Sequence, residues 1–231
     1  LTIDGIGMVV DSGLARIARF DSNRGINTLW IEKISRASAD QRKGRAGRTR
    51  NGHCLRLWTE DDHSRRPEHE VPEIHRVDLA EALLTLKAAG IDDMGSFRWF
   101  DPPLPATLQR AETLLQDLGA TAGETGRITD RGRRLTAFPV HPRYARMLLA
   151  ADESDCVRAV ALIAAMTQER SILVQKADER ATEVRNRRIE DSAESDFVKL
   201  VRAWEYAERN DFDLESCKEV GVHAVTARQV A

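Results

Sequence analysis

Gln41-Arg42-Lys43-Gly44-Arg45-Ala46-Gly47-Arg48 is the densest chemical signal in the chain. From Arg36 to Arg50 there are six cationic residues and one acid, Asp40. The pattern predicts a short helix over 38–48 with two glycines inside it. Arg45 and Arg48 are three apart, so on that helix they project from one face. Two forked guanidiniums on one face suit a tri-oxygenated anion such as a phosphate. Gln41, four residues before Arg45, falls on the same side and can orient a water. Charge runs are usually solvated surface, and on charge alone a solvated basic helix is the simpler reading. The glycines argue against it. Each costs about 1 kcal/mol inside a helix, and a merely solvated helix has no reason to carry them. Gly44 and Gly47 would let a phosphate or another backbone come close.

Strand signals surround this stretch. Residues 7–10 read as a short buried strand ending at Asp11-Ser12-Gly13, a turn cluster. Residues 16–20 and 28–34 flank Asp21-Ser22-Asn23-Arg24-Gly25-Ile26-Asn27 and predict a hairpin whose loop needs Gly25 at positive φ. Residues 52–59 alternate and predict another strand.

Downstream, 60–76 is polar, carries Pro67 and Pro72, and reads as a connector. Asp78 then caps a helix with Glu81 as its capping-box partner. Leu79, Leu83 and Leu86 form its buried stripe, and Gly90 stands just past its end. A second helix starts at Pro105, shows Leu108, Ala111, Leu115 and Leu118 on one face, and stops at Gly119. Residues 126–129 suggest a wing strand, so two helices and a short strand pair predict a winged-helix module. Beyond residue 130 the pattern is helical, over 142–151, 152–167 and 194–209. In the last of these, Phe197, Val201, Trp204 and Ala207 share a stripe. The charged run 176–195 reads as a solvated linker or exposed helix. Trp58, Trp99 and Trp204 are expected in the core. Trp30 either packs in the hairpin or stacks on a base. His141, between Pro139 and Pro142, is expected to shape a turn.

Composition sets the outer bounds. The 231 residues hold 35 Lys and Arg against 37 Asp and Glu, a net charge of −2, which excludes a uniformly basic nucleic-acid coat but not a local basic patch. The longest apolar run, 159–166, is far short of a bilayer span. Cys54, Cys156 and Cys217 are too sparse for a disulfide framework and suggest a reducing, cytoplasmic setting. The six histidines form no ligand set with metal spacing, so no metal site is expected. The chain opens on Leu1 inside an apparent strand and closes without a helix stop, and reads as a segment cut at both ends.

Taken in order, these residues resemble a known family. Gln41 to Arg48 is similar to motif VI of superfamily 2 helicases in their DEAH-box form. Thr2-Ile3-Asp4-Gly5-Ile6, followed by Val9-Val10-Asp11-Ser12-Gly13, resembles motif V, and a β-hairpin lies between the two as in that family. Pro72-Glu73-Ile74 and the helix carrying Leu79 to Ile91 resemble the start of the family's winged helix. Phe100-Asp101-Pro102-Pro103, Leu118-Gly119-Ala120 and the run Leu135 to Arg143 resemble its passage into a helical ratchet domain. Ser195-Asp196-Phe197 with Trp204 fits a later ratchet helix. The bacterial Hrp-like DEAH helicases look nearest.

The resemblance implies a fold class: the α/β end of a RecA-like helicase domain, followed by a mostly α region of winged helix and helical bundle. The implied domains are the C-terminal part of a second RecA-like domain (1–60), a winged helix (61–131) and a truncated ratchet, or helicase-associated, domain (132–231). It also implies roles. Arg45 and Arg48 act as arginine fingers on the γ-phosphate of ATP, and such charge stabilisation is worth roughly 10³ to 10⁵ in rate. Gln41 holds the γ-phosphate or the attacking water. Asp4 and Gly5 lie at the nucleotide edge of the cleft, and Thr2 touches the RNA backbone. Arg42 makes structural contacts within its domain. The hairpin resembles one that separates strands, with Asn23 and Arg24 at its tip as nucleic-acid contacts, although a plain structural hairpin is the alternative.

The implied cofactor is ATP with Mg²⁺, whose ligands belong to a first RecA-like domain. The implied partner is RNA, with single-stranded DNA as a second candidate. Neither a phosphate-cradling G-x-x-x-x-G-K-[ST] nor a D-E-A-H occurs in the sequence, so the chain by itself is expected not to hydrolyse ATP. Two other readings stay open: a non-enzymatic winged-helix RNA-binding scaffold, and a DNA-acting superfamily 2 helicase.

Overall fold

The structure is a computed structural model that describes residues 5–22, 25–123, 125–168, 171–174, 177–190 and 195–230. It is mostly helical with a small amount of sheet, and divides into two compact units, 1–142 and 143–231.

The first unit opens with β1 (Met8–Asp11), β2 (Leu14–Asp21) and β3 (Ile26–Lys33). β2 and β3 pair antiparallel with Ala18 opposite Leu29, and Gly25 takes φ +67° at the turn, as its loop requires. α1 (Arg36–Lys43) follows, and then β4 (His53–Arg56), which pairs parallel with β1 so that Val9 faces Cys54. Strands of a parallel pair belong under cover on both faces. Here Met8, Val10, Leu55 and Leu57 are all exposed, which is the mark of a sheet with few strands.

The predicted helix over 38–48 is shorter than expected. α1 ends at Lys43 with Gly44 as its C-cap, and 44–50 continue as turns. Arg45 and Arg48 therefore do not share a helix face. The reason lies beyond the helix: Ala46 is buried and its carbonyl closes against Gly52, so the chain after Gly44 leaves the helical path. The start of α1 is fixed by the stretch read as a plain connector. Ser35 caps the helix through Ser38 N–H at 3.1 Å, while the Arg36 and Ala37 N–H groups donate to the Pro67 and Glu68 carbonyls. These are the orphan donors every helix start must satisfy. Glu70 accepts from both the Ser35 amide and its hydroxyl. Burial opposes ionisation of Glu70, but those bonds outweigh it and hold its carboxyl below the usual range.

α2 (Glu60–Ser64) follows β4. Beyond it Arg66, almost wholly buried, donates to the Gly13 and Ile34 carbonyls and pairs with Asp62 at 2.8 Å. Its guanidinium lies 4.3 Å from the centre of the Trp58 ring. Gly13, at φ +71°, leaves the space this needs, because a Cβ there would sit 2.7 Å from both side chains. Trp58 is thus half-buried between arginines rather than in an apolar core. Trp99 is also only half-buried.

α3 (Ala80–Ala88), α4 (Pro105–Asp117) and α5 (Asp130–Leu135) complete the unit. α3 packs against both others, burying Leu79, Leu83, Leu84, Ala111, Leu115 and Leu135. Pro105 opens α4, Gly90 and Gly119 take φ +92° and +67° past the ends of α3 and α4, and Thr129 caps α5. The predicted capping box is not formed: Leu79 is the residue before α3 and makes no side-chain cap bond, while Asp78, one residue earlier, accepts from Ala80 N–H at 2.8 Å and gives its own N–H to Asn27 instead of Glu81. Thr121 bridges Ile128 where a wing was expected. Lys87 was not anticipated as an interior residue. Its ammonium is buried and donates to the Asp92 and Gly126 carbonyls, both at 2.9 Å.

The second unit holds α6 (Pro142–Glu153), α7 (Val157–Gln168), α8 (Glu179–Arg185), a π-helical turn (Asn186–Glu190), α9 (Asp196–Arg209), α10 (Leu214–Glu219) and α11 (Ala224–Gln229). Its core gathers Met166, Ile172, Ile189, Ala203, Trp204 and Cys217, among others. Trp204 is anchored by its indole N–H on the Ala227 carbonyl at 2.8 Å. Val201 and Ala207 follow the predicted stripe, but Phe197 is exposed. The charged run is more structured than a linker: α8 forms within it, with Ala181 and Ile189 buried.

Candidate functional site

The basic stretch and the strand before it form one corner. Arg42 donates from Nη1 to the Asp11 carboxylate at 2.9 Å and to the Leu14 carbonyl at 3.1 Å. Asp11 is buried at the end of β1 and also accepts from Gly13 N–H. The structural role expected of Arg42 is the one observed. Arg50 donates to the Gly5 carbonyl at 2.9 Å and packs on Gly7, while His53 N–H donates to the Gly7 carbonyl. On the other side, Arg56 of β4 pairs with Asp40 of α1 at 2.6 Å. The Arg56 bond holds the Asp40 carboxyl below its ordinary range.

The turn after α1 is shaped by a close approach. A Cβ on Gly52 would lie 2.1 Å from the Ala46 carbonyl oxygen, so only glycine lets that turn fold back on the start of β4. Gly44 and Gly47, the glycines singled out from sequence, are under no such pressure. A Cβ at Gly44 meets only ordinary contacts, and one at Gly47 meets nothing within 4 Å. Among the described residues no atom fills the space beside Gly47, nor that beside Gly5 at φ +80°.

Gln41, Arg45 and Arg48 are all exposed. Their stem is held by Arg42, Ala46 and Arg50, so the exposed groups ride on a fixed backbone. Thr2, Asp4, Asn23 and Arg24 lie outside the described residues. Gly5 is brought to the corner through Arg50. Cavities of about 440 and 350 Å³ lie in the second unit and one of about 370 Å³ lies beside Lys87. None of these three is lined by Gln41, Arg45 or Arg48. Among the described residues no group of three or more His, Cys, Asp or Glu is placed to hold a metal ion.

Sequence reasoning missed Arg50, Gly52, Arg56, Arg66 and Glu70 as supports of this corner. Charge alone does not reveal them, because most of their partners lie far along the chain and three of the bonds end on backbone carbonyls.

Family comparison defines the helical part first. Residues 111–140 match the winged-helix part of the helicase-associated (HA2) domain, and 141–200 match its ratchet-like part. Residues 111–200 thus match the helicase-associated domain, and the chain is homologous over most of its length to the DEAH-box RNA helicases HrpA and DHX35. It is 40% identical over 211 residues to the ATP-dependent RNA helicase HrpA of Escherichia coli (strain K12), covering 89% of this chain and 16% of that protein. The HrpA homolog of Haemophilus influenzae is 38% identical over 213 residues, with the same coverage. The probable ATP-dependent RNA helicase DHX35 of Homo sapiens is 33% identical over 219 residues, covering 95% of this chain and 31% of that protein. The chain therefore spans a small part of the length of each of these relatives.

Proposed function

We propose that this chain is part of an ATP-dependent RNA helicase that couples ATP hydrolysis to movement on, or unwinding of, RNA. In this reading residues 1–60 are the end of a second RecA-like domain, 61–131 the winged helix and 132–231 part of the ratchet domain. The observation that carries it is the corner itself. Arg42 on Asp11 and Arg50 on Gly5 hold the two motif-like segments together, while Gln41, Arg45 and Arg48 stay exposed beside open space at Gly47.

That arrangement fits the phosphate end of a nucleotide. Arg45 and Arg48 would supply positive charge where charge develops on the transferring phosphoryl group. Gln41 would orient the attacking water or the γ-phosphate. Gly5, with Asp4, would line the nucleotide edge. Bound Mg²⁺ would supply further charge neutralisation, and its ligands would come from a different domain. Thr2, Asn23 and Arg24 would contact RNA, which a backbone-gripping channel would hold with little regard to base. A cytoplasmic location agrees with the sparse cysteines, and no helix among the described residues is long and apolar enough to cross a membrane.

The test is RNA affinity of the longer protein carrying this chain, measured with and without a non-hydrolysable ATP analogue. A helicase shows affinity that changes with nucleotide. Affinity that falls with salt but ignores nucleotide supports the scaffold reading instead.

A further inference from the structure

The hairpin of β2 and β3 does not project freely. Near its tip, Phe20 N–H donates to the Arg76 carbonyl at 2.7 Å, and Arg76 returns a bond from its guanidinium to the Ala18 carbonyl. Asp78 N–H donates to Asn27 Oδ1 at 2.7 Å. From α4, the Arg110 guanidinium sits 4.6 Å from the centre of the Phe20 ring. The far half of the hairpin is therefore attached to the segment that leads into α3.

One carboxylate lies at the centre of this attachment. The Asp78 backbone holds Asn27 of β3, and its Oδ1 accepts from Ala80 N–H at 2.8 Å and from His141 Nε2 at 3.3 Å. Its side chain is 4% exposed and that of His141 13%. An ionised carboxylate only accepts, so Nε2 carries the proton in this pair. Three separate stretches thus meet at Asp78: the hairpin, the first turn of α3, and the residue just before Pro142, where the first compact unit ends. Neither a capping role nor a turn-shaping histidine needs this arrangement. Asp78 can accept from Ala80 N–H without His141, and a turn at Pro139 to Pro142 needs no buried carboxylate 63 residues away.

We infer that Asp78 and His141 form a brace that fixes the hairpin to the segment leading into α3, so that the hairpin acts on nucleic acid as part of that body and not as a flexible finger. Asp78 is a positioning residue here. The strand-separating part of the inference rests on the helicase reading above, whereas the brace does not.

The experiment has two arms. Amide exchange on the chain is compared for wild type, His141→Ala, His141→Gln and Asp78→Asn, with the Leu115 amide as a core reference. His141→Ala leaves the bond from Ala80 N–H to Asp78 in place, yet the Phe20 and Asp78 amides should lose about tenfold in protection relative to Leu115. His141→Gln, which keeps a donor, should recover part of that loss. Unchanged Phe20 and Asp78 amides in His141→Ala, or a loss shared equally by Leu115, would overturn the brace. The second arm uses the longer protein. His141→Ala should lower the RNA duplex unwound per ATP hydrolysed about three-fold or more while RNA-stimulated hydrolysis stays within about two-fold, which is the split expected of positioning without chemistry. Equal loss of both would overturn the positioning role. A wild-type protein without RNA-stimulated hydrolysis would instead overturn the helicase reading, and exchange alone would then decide the brace.

Discussion

The guanidinium of Arg42 lies 2.9 Å from the carboxylate of Asp11, across 31 residues that include the whole hairpin. Through this pair the basic stretch and the strand before the hairpin become one surface. Asp11 Oδ2 is buried without a hydrogen-bond partner among the described residues, so Arg42 carries much of the compensation for burying that charge.

Removing the cation should therefore be costly. Arg42→Ala is expected to lower the unfolding free energy by about 3 kcal/mol, toward the low end for a broken buried pair because Arg42 is itself partly exposed. Urea denaturation measures it. Adding Asp11→Asn to that variant should recover part of the loss, since no unpaired charge is then left inside.

Two glycines in the same turn should behave in opposite ways. Gly52→Ala drives a Cβ to 2.1 Å from the Ala46 carbonyl and should destabilise by about 1–3 kcal/mol. Gly47→Ala meets open space and should leave stability within about 0.5 kcal/mol. Any effect of Gly47→Ala on nucleotide hydrolysis by the longer protein would then report ligand approach and not folding. Thermal or urea unfolding of both variants separates the two cases.

Lys87 should behave as an interior residue despite its charge. Its ammonium satisfies the Asp92 and Gly126 carbonyls. Lys87→Met keeps the stem but leaves both acceptors without that donor, and should cost about 2 kcal/mol. A variant as stable as wild type in urea would show that water replaces the ammonium there.

The brace predicts an acid dependence. Burial works against ionisation of Asp78, but His141, the Ala80 amide and Arg110 outweigh it and hold its folded pKa below the ordinary value. A depressed carboxyl contributes stability that is present above the unfolded pKa, about 3.9, and is lost as pH falls through the folded value. Asp78→Asn lacks this contribution. Its stability should fall less steeply than that of wild type below about pH 4. Parallel curves would contradict the role given to Asp78.

Local signals carried the sequence reading a long way. Gly25, Gly90, Gly119 and Pro105 do in the structure what their chemistry implies, because each acts on its own backbone. Trp204 and Ala207 follow their stripe because a helix face is set by period. Failures came where distant residues decide. α1 stops at Lys43 because Gly44 caps it and Ala46 is buried beside Gly52, so the shared helix face for Arg45 and Arg48 is absent. Trp58 takes its place from Arg56 and Arg66, and the connector earns its structure from Ser35. None of these pairings leaves a periodic trace. Of the candidate site, Gln41, Arg45 and Arg48 were legible as a motif, while the residues that hold them in place were not.

The most direct test of the central claim is RNA-stimulated ATP hydrolysis by the longer protein carrying this chain, in wild type and in Arg45→Ala and Arg48→Ala. Both arginines are exposed, so neither substitution should unfold the corner. The account predicts that each lowers the maximal rate by roughly 10³-fold or more, with RNA binding in the absence of nucleotide preserved. Hydrolysis that survives both substitutions at the wild-type rate would contradict it.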